Sequence, residues 1–133
     1  MAPAEPSTNS TGRRVFVVED EIMIRMLLED MLADLGYGVA ASAGGLDEAM
    51  SLARNSEFDI AILDVNLNGH SVYPVAELLD QRGVPFVFST GYGERGLPEA
   101  YRNRPTLQKP FQLESLDRIL NTIAPSAASA CSG

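Results

Sequence analysis

Short apolar runs alternate along the chain with segments in which apolar residues recur every three or four positions. Runs of the first kind predict buried β-strands, and segments of the second kind predict amphipathic helices. The predicted strands span residues 13–18, 37–42, 58–63, 84–88 and 107–108, and the predicted helices span residues 22–35, 46–55, 73–81 and 113–123. Gly36 and Gly83 stand where glycine commonly ends a helix. Pro74 is compatible with the third helix because it falls in the first turn.

This alternation of strands and helices with short connections predicts an α/β fold. Right-handed crossovers between parallel strands place helices on both faces of the sheet. We therefore expect a flavodoxin-like, doubly wound (βα)5 domain whose five-stranded parallel sheet has the order 2-1-3-4-5. A fourth helix, between the fourth and fifth strands, is expected to be short and mobile, because residues 91–96 contain three glycines. Each glycine inside a helix destabilises the helix by about 1 kcal/mol relative to alanine.

The length of 133 residues fits one domain, expected over residues 13–124. Residues 1–12 and 125–133 are polar or small-residue segments, which we expect to be disordered tails. The first segment lacks the basic start and apolar core of a signal peptide, and no apolar run is long enough to span a membrane, so a cytoplasmic protein with no membrane partner is expected. The single cysteine, Cys131, falls in the second tail and excludes an intrachain disulfide.

The charge of the chain bears on its partners. The formal net charge is −8 and the pI is about 4.5. Binding to phosphate backbones depends on clustered Lys and Arg, so direct binding to nucleic acid is not expected.

Acidic residues follow two of the predicted strands. Glu19 and Asp20 come after the first strand, and Asp64 ends the third, which is its neighbour in the expected sheet. Carboxylates at one sheet edge are hard oxygen ligands suited to Mg²⁺. A lone strand-end aspartate is more often a helix cap or a turn former, at odds of roughly two to one. The expected proximity of Glu19 and Asp20 favours a functional site centred on Asp64.

Two further residues complete the candidate site. Lys109 follows the fifth strand and would supply a positive charge for a phosphate. Thr90, near the end of the fourth, offers a hydroxyl to a phosphoryl oxygen, although capping of the next helix is about equally probable. Together the carboxylates, hydroxyl and ammonium favour phosphoryl transfer, which requires charge neutralisation and positioning.

Several other patterns do not predict a site. Residues 64–69 fit the opening of an EF-hand calcium loop, but position twelve is Val75 in place of Glu and a strand precedes the loop. Residues 91–96 fit the dinucleotide-binding fingerprint, but Lys109 stands where the next strand should end in an acid. The lone His70 is expected to be solvated. Met23, Met26 and Met31 are expected to fill the core.

With these residues in place, the chain resembles the receiver domain of bacterial two-component response regulators. The resemblance rests on residues 17–21 as the acidic metal-binding turn, residues 62–64 as the phospho-acceptor strand, Thr90 as the switch hydroxyl and residues 109–111 as the lysine-proline step.

That resemblance implies that Asp64 takes a phosphoryl group from a phosphohistidine of a sensor histidine kinase. It implies that Mg²⁺ is bound by Glu19, Asp20, Asp64 and the Asn66 carbonyl, while Lys109 and Thr90 hold the acyl phosphate. It further implies slow self-catalysed dephosphorylation, tuned by Asn66 and Tyr92, in place of turnover of a small substrate, and a cis Lys109–Pro110 bond. A phosphotransfer protein or a downstream regulator is a further implied partner.

Residues 85–93 are similar to the PFxFATG[G/Y] signature of the "FAT GUY" receivers, with Ser89 in place of the signature alanine. That subgroup is often stand-alone and is associated with general stress response phosphorelays. The aromatic residue that rotates in typical receivers is replaced by Thr106, so we expect reordering of residues 91–101 to carry the response.

Two rival functions remain. The first is a receiver-shaped protein-interaction module that works without phosphate. Such a module would not need the polar groups of the candidate site, which are Glu19, Asp20, Asp64, Thr90 and Lys109. An aspartate-nucleophile phosphatase would need a second Asp two residues after Asp64, where Asn66 stands.

Overall fold

The computed structural model describes residues 12–91, 97, 101 and 104–123. Over these residues the elements are, in order, β1 (Arg14–Val18), α1 (Ile22–Asp34), β2 (Gly38–Ala43), α2 (Leu46–Asn55), β3 (Ile60–Asp64), β4 (Asn66–Leu67), β5 (His70–Ser71), α3 (Tyr73–Arg82), β6 (Phe86–Thr90), β7 (Thr106–Gln108) and α4 (Leu113–Ile123). Across the described ranges, no helix has the length and apolar character needed to cross a membrane.

Five of the strands form one parallel sheet in the order β2-β1-β3-β6-β7. The strands β6 and β7 are the fourth and fifth of this sheet, so the expected order 2-1-3-4-5 and the flavodoxin-like class are confirmed. The chain moves out from β1 to one edge and then, through β3, to the other. This reversal of direction leaves a crevice at the carboxyl ends of the central strands.

Alternation along the strands separates two apolar cores. One core lies between the sheet and helices α2 and α3, and contains Phe16, Val18, Ala61, Leu63, Phe86 and Phe88 from the strands. The other lies between the sheet and helices α1 and α4, and contains Val15, Val17, Ile60, Ile62, Val87 and Leu107 from the strands. The helices therefore cover both faces of the sheet, as the near-continuous apolar strands predict.

The ends of the helices follow local signals in the sequence. Gly36 has φ of 91° just after α1, and Gly83 has φ of 74° just after α3. Both values lie in the left-handed region that glycine adopts without steric cost. Pro74 lies in the first turn of α3, where its missing N–H leaves no intrahelical bond unmade.

The strand boundaries differ from the expected ones. β3 begins at Ile60 and includes Asp64, and β6 runs from Phe86 to Thr90, two residues later than expected. The shift arises because backbone pairing continues through polar residues, with Asp64 opposite Ser89. The expected fourth helix and the reordering of residues 91–101 fall largely outside the described residues, as do the two expected tails and Tyr92.

The prediction that the methionines of α1 fill the core is wrong for two of the three. Met31 is buried, but Met23 is 82% exposed and Met26 is 58% exposed. Leu27 is also exposed, at 50%. The helix has two apolar stripes, and the sheet is covered by the one that contains Leu28, Met31 and Leu32. Periodicity groups residues on a face but does not say which of two apolar faces is buried.

Candidate functional site

Polar side chains gather where four parallel strands end. Glu19 and Asp20 follow β1, Asp64 and Thr90 are the last residues of β3 and β6, and Lys109 follows β7. The edge forms a cleft of about 490 Å³. Its lining residues are Asp20, Glu21, Asp64, Val65, Asn66, Asn68, Gly69, Thr90, Gly91 and Lys109. The structure thus brings the residues singled out from the sequence to one edge of the sheet.

Three carboxylates form the acidic part of the site. Oxygens of Glu19, Asp20 and Asp64 all lie within 4.8 Å of one another. Glu19 is 1% exposed and Asp64 is 6% exposed, whereas Asp20 is half-buried at the mouth of the cleft. So much buried negative charge requires compensation by a cation or a proton. The hard oxygen donors and their spacing fit a divalent cation such as Mg²⁺.

The protein compensates part of this charge with a proton. Burial, and then the nearby charge of Glu19, raise the pKa of Asp64 to about 7, although Lys109 acts in the opposite direction. Burial also acts to raise the pKa of Asp20, but hydrogen bonds from Asp64 and from the Asn68 N–H outweigh it and lower that pKa. Near neutral pH a large fraction of Asp64 is therefore protonated, and a bound cation would displace that proton.

Lys109 supplies a positive charge from the opposite end of the site. Its ammonium lies 3.1 Å from Oε1 of Glu19 and 3.5 Å from Oδ1 of Asp64. Burial alone would lower the pKa of Lys109, but the attraction of these two carboxylates raises it. The backbone N–H of Lys109 donates to the carbonyl of Thr90 over 3.0 Å, which ties the lysine to the end of β6. The Lys109–Pro110 peptide bond is cis, as expected.

A small hairpin forms the floor of the cleft beside Asp64. The Asn66 N–H donates to Oδ1 of Asp64 over 3.4 Å, and the Asn68 N–H donates to Oδ2 of Asp20 over 3.0 Å. Asn68 and Gly69 have φ of 52° and 87°, as required between the two strands of a tight hairpin. This hairpin, β4–β5, was not predicted, although an Asn-Gly pair is a strong hairpin signal. It places Asn68, which was not singled out, against the acidic site.

The sites rejected on sequence grounds gain no support. Residues 66–71 form an antiparallel hairpin, which is not the geometry of a calcium-binding loop. His70 lies exposed in that hairpin, outside the residues that line the cleft. Thr90 is buried and lines the cleft. Most of residues 91–96 lie outside the described part of the chain.

A family model for the response regulator receiver domain matches residues 15–121. The chain belongs to this family. Receiver domains are the parts of response regulators that take part in two-component signalling, and the family binds Mg²⁺ in an acidic pocket.

Individual relatives give the same assignment. The transcriptional regulatory protein PdtaR of Mycobacterium tuberculosis is 33% identical over 118 residues, which cover 86% of this chain and 58% of PdtaR. The chain thus spans somewhat more than half the length of this curated relative.

Two solved structures are also similar. SdrG from Sphingomonas melonis Fr1 is 37% identical with a TM-score of 0.77, and the match covers 86% of this chain and 98% of SdrG. The response regulator PhyR from Brucella abortus is 27% identical with a TM-score of 0.76, and the match covers 91% of this chain and 50% of PhyR. Another PhyR structure, also 27% identical, is described as that of a stress response regulator.

Proposed function

We propose that this receiver domain accepts a phosphoryl group on Asp64 from a phosphohistidine of a sensor histidine kinase. The observation that carries the proposal is the position of the Asp64 carboxylate, which lies in a cleft within 4.8 Å of two further carboxylates and 3.5 Å from the Lys109 ammonium. An oxygen of Asp64 forms a bond to phosphorus as the bond from phosphorus to the histidine nitrogen breaks. The nitrogen keeps the electron pair of that bond.

The acidic residues give Asp64 its dependence on a cation. We infer that Mg²⁺ would be held by Glu19, Asp20, Asp64 and the Asn66 carbonyl, where it would neutralise charge on the carboxylates and the phosphoryl group. Asp64 attacks as the carboxylate, and its pKa of about 7 leaves a large protonated fraction at neutral pH. Positive charge beside it lowers that fraction. The acidic cluster therefore holds Asp64 poorly reactive until a cation is bound.

Two residues act on the transferred group. The Lys109 ammonium lies between Glu19 and Asp64 and is placed to follow the new negative charge onto the phosphoryl oxygens. Thr90 lines the same cleft and offers its hydroxyl to a phosphoryl oxygen. Positioning and charge stabilisation of this kind account for most catalysis of phosphoryl transfer.

The exposed stripe of α1 supports a protein as the phosphoryl donor. It consists of Ile22, Met23, Met26 and Leu27, which are between 50% and 82% exposed. The stripe begins next to Glu21, which lines the cleft. Contiguous large apolar residues at a surface are typical of protein contacts, and a methionine-rich surface adapts its shape to a binding partner.

We place the domain in a general stress response phosphorelay. Support comes from its similarity to a PhyR described as a stress response regulator, and from the FAT GUY-like residues 85–93. The signal then passes to a phosphotransfer protein or a downstream regulator.

Labelling by a small phosphodonor tests the proposal. Purified protein incubated with radiolabelled acetyl phosphate and Mg²⁺ should incorporate one phosphoryl group per chain. Asp64→Asn should abolish labelling, whereas Asp30→Asn, an exposed residue in the middle of α1, should leave it unchanged. Incubation with candidate kinases from the same cell would then identify the donor. Absence of labelling in the wild type would favour the phosphate-independent interaction module.

A further inference from the structure

Ser89 carries a buried hydroxyl that the resting site does not use. The residue is 1% exposed, and its Oγ makes no hydrogen bond within the part of the chain that the structure describes. A buried hydroxyl without a partner lowers stability, so alanine would suit this position better if packing alone mattered. A group of this kind in a native structure calls for a functional explanation.

The sheet register places this hydroxyl beside the reacting carboxylate. Ser89 in β6 pairs with Asp64 in β3 on one side and with Leu107 in β7 on the other. Paired strands lie about 4.8 Å apart. Val87, Ile62 and Leu107 all pack in the core beneath α1 and α4.

Side chains alternate between the faces of a sheet, so Ser89 and Asp64, two residues after Val87 and Ile62, lie on that same face. Lys109 follows β7, and its ammonium reaches the same side, where it lies 3.5 Å from Oδ1 of Asp64. The hydroxyl is therefore one strand away from the Asp64 carboxylate and close to the path of the lysine side chain.

Phosphorylation changes what surrounds the Asp64 oxygens. In the resting structure Oδ1 has the Lys109 ammonium at 3.5 Å and the Asn66 N–H at 3.4 Å. Transfer of a phosphoryl group brings new negative charge to the phosphoryl oxygens, and the ammonium follows this charge. The Asp64 carboxyl oxygen that loses the ammonium then needs a donor, and Ser89 is the neighbour with a free hydroxyl.

We propose that Ser89 is a positioning residue for phosphoryl transfer, whose hydroxyl donates to the Asp64 carboxyl oxygen as the bond between Asp64 and phosphorus forms or breaks. This deepens the proposed function and rests on it. In the transition state the Asp64 oxygens carry partial negative charge while Lys109 is engaged with the phosphoryl group. The resting structure has no hydrogen bond from the Ser89 hydroxyl, so a bond that forms only as Lys109 moves to the phosphoryl group stabilises the transition state selectively and accelerates both gain and loss of the phosphoryl group.

This role and a purely structural one predict opposite relations between stability and rate. A hydroxyl that serves the transition state is a burden in the resting fold, so its removal stabilises the protein and slows the chemistry. A hydroxyl that is only part of the packing affects stability and leaves the chemistry unchanged.

The test uses three variants at Ser89 and a matched control. Ser89→Ala removes the donor, Ser89→Cys keeps the approximate shape with a weak donor, and Ser89→Thr keeps the hydroxyl. Ser51→Ala, on the exposed face of α2, is the control. Each protein is labelled with acetyl phosphate and Mg²⁺, and the loss of label is followed after removal of the donor. Urea unfolding without Mg²⁺ and phosphodonor is measured on the same samples.

We expect Ser89→Ala and Ser89→Cys to slow both labelling and loss of label by about 3- to 10-fold, the range for one hydrogen bond. We expect Ser89→Thr to stay within about twofold of the wild type, and Ser89→Ala to unfold at a higher urea concentration. A wild-type rate in Ser89→Cys or Ser89→Ala, or a lower unfolding midpoint in Ser89→Ala, would overturn the inference. Failure of the wild type itself to be labelled would overturn the proposed function instead.

Discussion

The ammonium of Lys109 lies 3.1 Å from the buried carboxylate of Glu19, although the two residues follow strands β7 and β1, which are separated in the sheet by β6 and β3. The lysine therefore reaches across the carboxyl ends of two intervening strands. Its charge lies next to the acidic cluster, so the ion pair with Glu19 connects the edge strand β7 to the central part of the sheet.

Loss of this charge should destabilise the protein. Lys109→Gln leaves Glu19 and Asp64 without their basic neighbour, and we expect the free energy of unfolding at pH 8 to fall by about 1–3 kcal/mol. The value is modest because the lysine is about one-fifth exposed. Urea unfolding measures the change, and Lys109→Arg serves as the control that retains the charge. Equal stability of the Gln variant and the wild type would contradict this electrostatic account.

The raised pKa of Asp64 predicts that stability falls with rising pH. The folded protein binds a proton at Asp64 up to about pH 7, whereas the unfolded chain releases it near the ordinary value of 3.8. Between these values the folded state holds more protons, so the free energy of unfolding decreases as pH rises from about 4 to 7.

Asp64→Asn should remove this slope and raise stability at pH 8 by about 1–3 kcal/mol. Urea unfolding at pH 5 and pH 8, without divalent cations, measures both effects. Asp30→Asn should show the wild-type slope. A wild-type pH dependence in Asp64→Asn would show that another group is responsible.

Binding of Mg²⁺ should stabilise the protein through the three carboxylates. At a Mg²⁺ concentration one hundred times its dissociation constant the gain is about 2.7 kcal/mol. Asp20→Asn should weaken binding by about tenfold or more, because it removes one charged ligand from the cluster of Glu19, Asp20 and Asp64. Titration with Mg²⁺ followed by NMR or thermal unfolding measures the affinity. Wild-type affinity in this variant would exclude Asp20 from the metal site.

Substitutions on the exposed stripe of α1 should separate kinase recognition from chemistry. We expect the double variant Met23→Gln, Met26→Gln to reduce phosphotransfer from the kinase by about tenfold or more and to leave labelling by acetyl phosphate unchanged. Glutamine has a helix propensity close to that of methionine, so stability should change by less than about 0.5 kcal/mol. Leu113→Gln, at an exposed leucine of α4, is the matched control. Reduced labelling by acetyl phosphate would mean that the site itself had been disturbed.

An aromatic cluster packs Tyr101 against α3 and β6. The ring of Tyr101 stacks on Tyr73 at 5.3 Å and meets the edge of Phe88 at 5.3 Å. Arg104 lies 5.7 Å from the Tyr101 ring and forms an ion pair of 2.8 Å with Asp80. These contacts connect Tyr101 to the strand that carries Thr90.

Tyr101→Ala should therefore lower the free energy of unfolding by about 1–3 kcal/mol, because it removes the stacked ring and its buried area. Tyr101→Phe keeps the ring and should differ from the wild type by less than about 0.5 kcal/mol. Urea unfolding of the two variants measures the difference. Indistinguishable midpoints for Ala and Phe would mean that the stack contributes no stability.

Much of the fold was predictable because the strands are nearly continuous apolar runs separated by clear helix signals. The order of the sheet followed from the rules of connection, and the placement of Asp64, Thr90 and Lys109 at one edge followed from that order. Strand ends were less predictable. Pairing through Asp64 and Ser89 depends on the neighbouring strands, which the local sequence does not reveal.

Other features of the site depend on tertiary contacts. Met23 and Met26 have the same spacing as core residues, and their exposure is decided by which stripe of α1 meets the sheet. The contact of the Asn68 N–H with Asp20 joins residues 48 positions apart. Ser89 stood out in the sequence as a departure from a signature, but its buried, unbonded hydroxyl is visible only in three dimensions.

Because the sheet separates two cores, consecutive residues of β6 face different helical layers. Ser89 projects toward the layer of α1 and α4, whereas Thr90 continues the face of Phe86 and Phe88, where the aromatic cluster packs. A phosphoryl group at the strand ends thus meets two outgoing routes, one through each helical layer. Phosphorylation of Asp64 would then change the layer of α1 and α4 and the layer that contains Tyr101 independently. Deuterium exchange measured in each layer would distinguish the two routes.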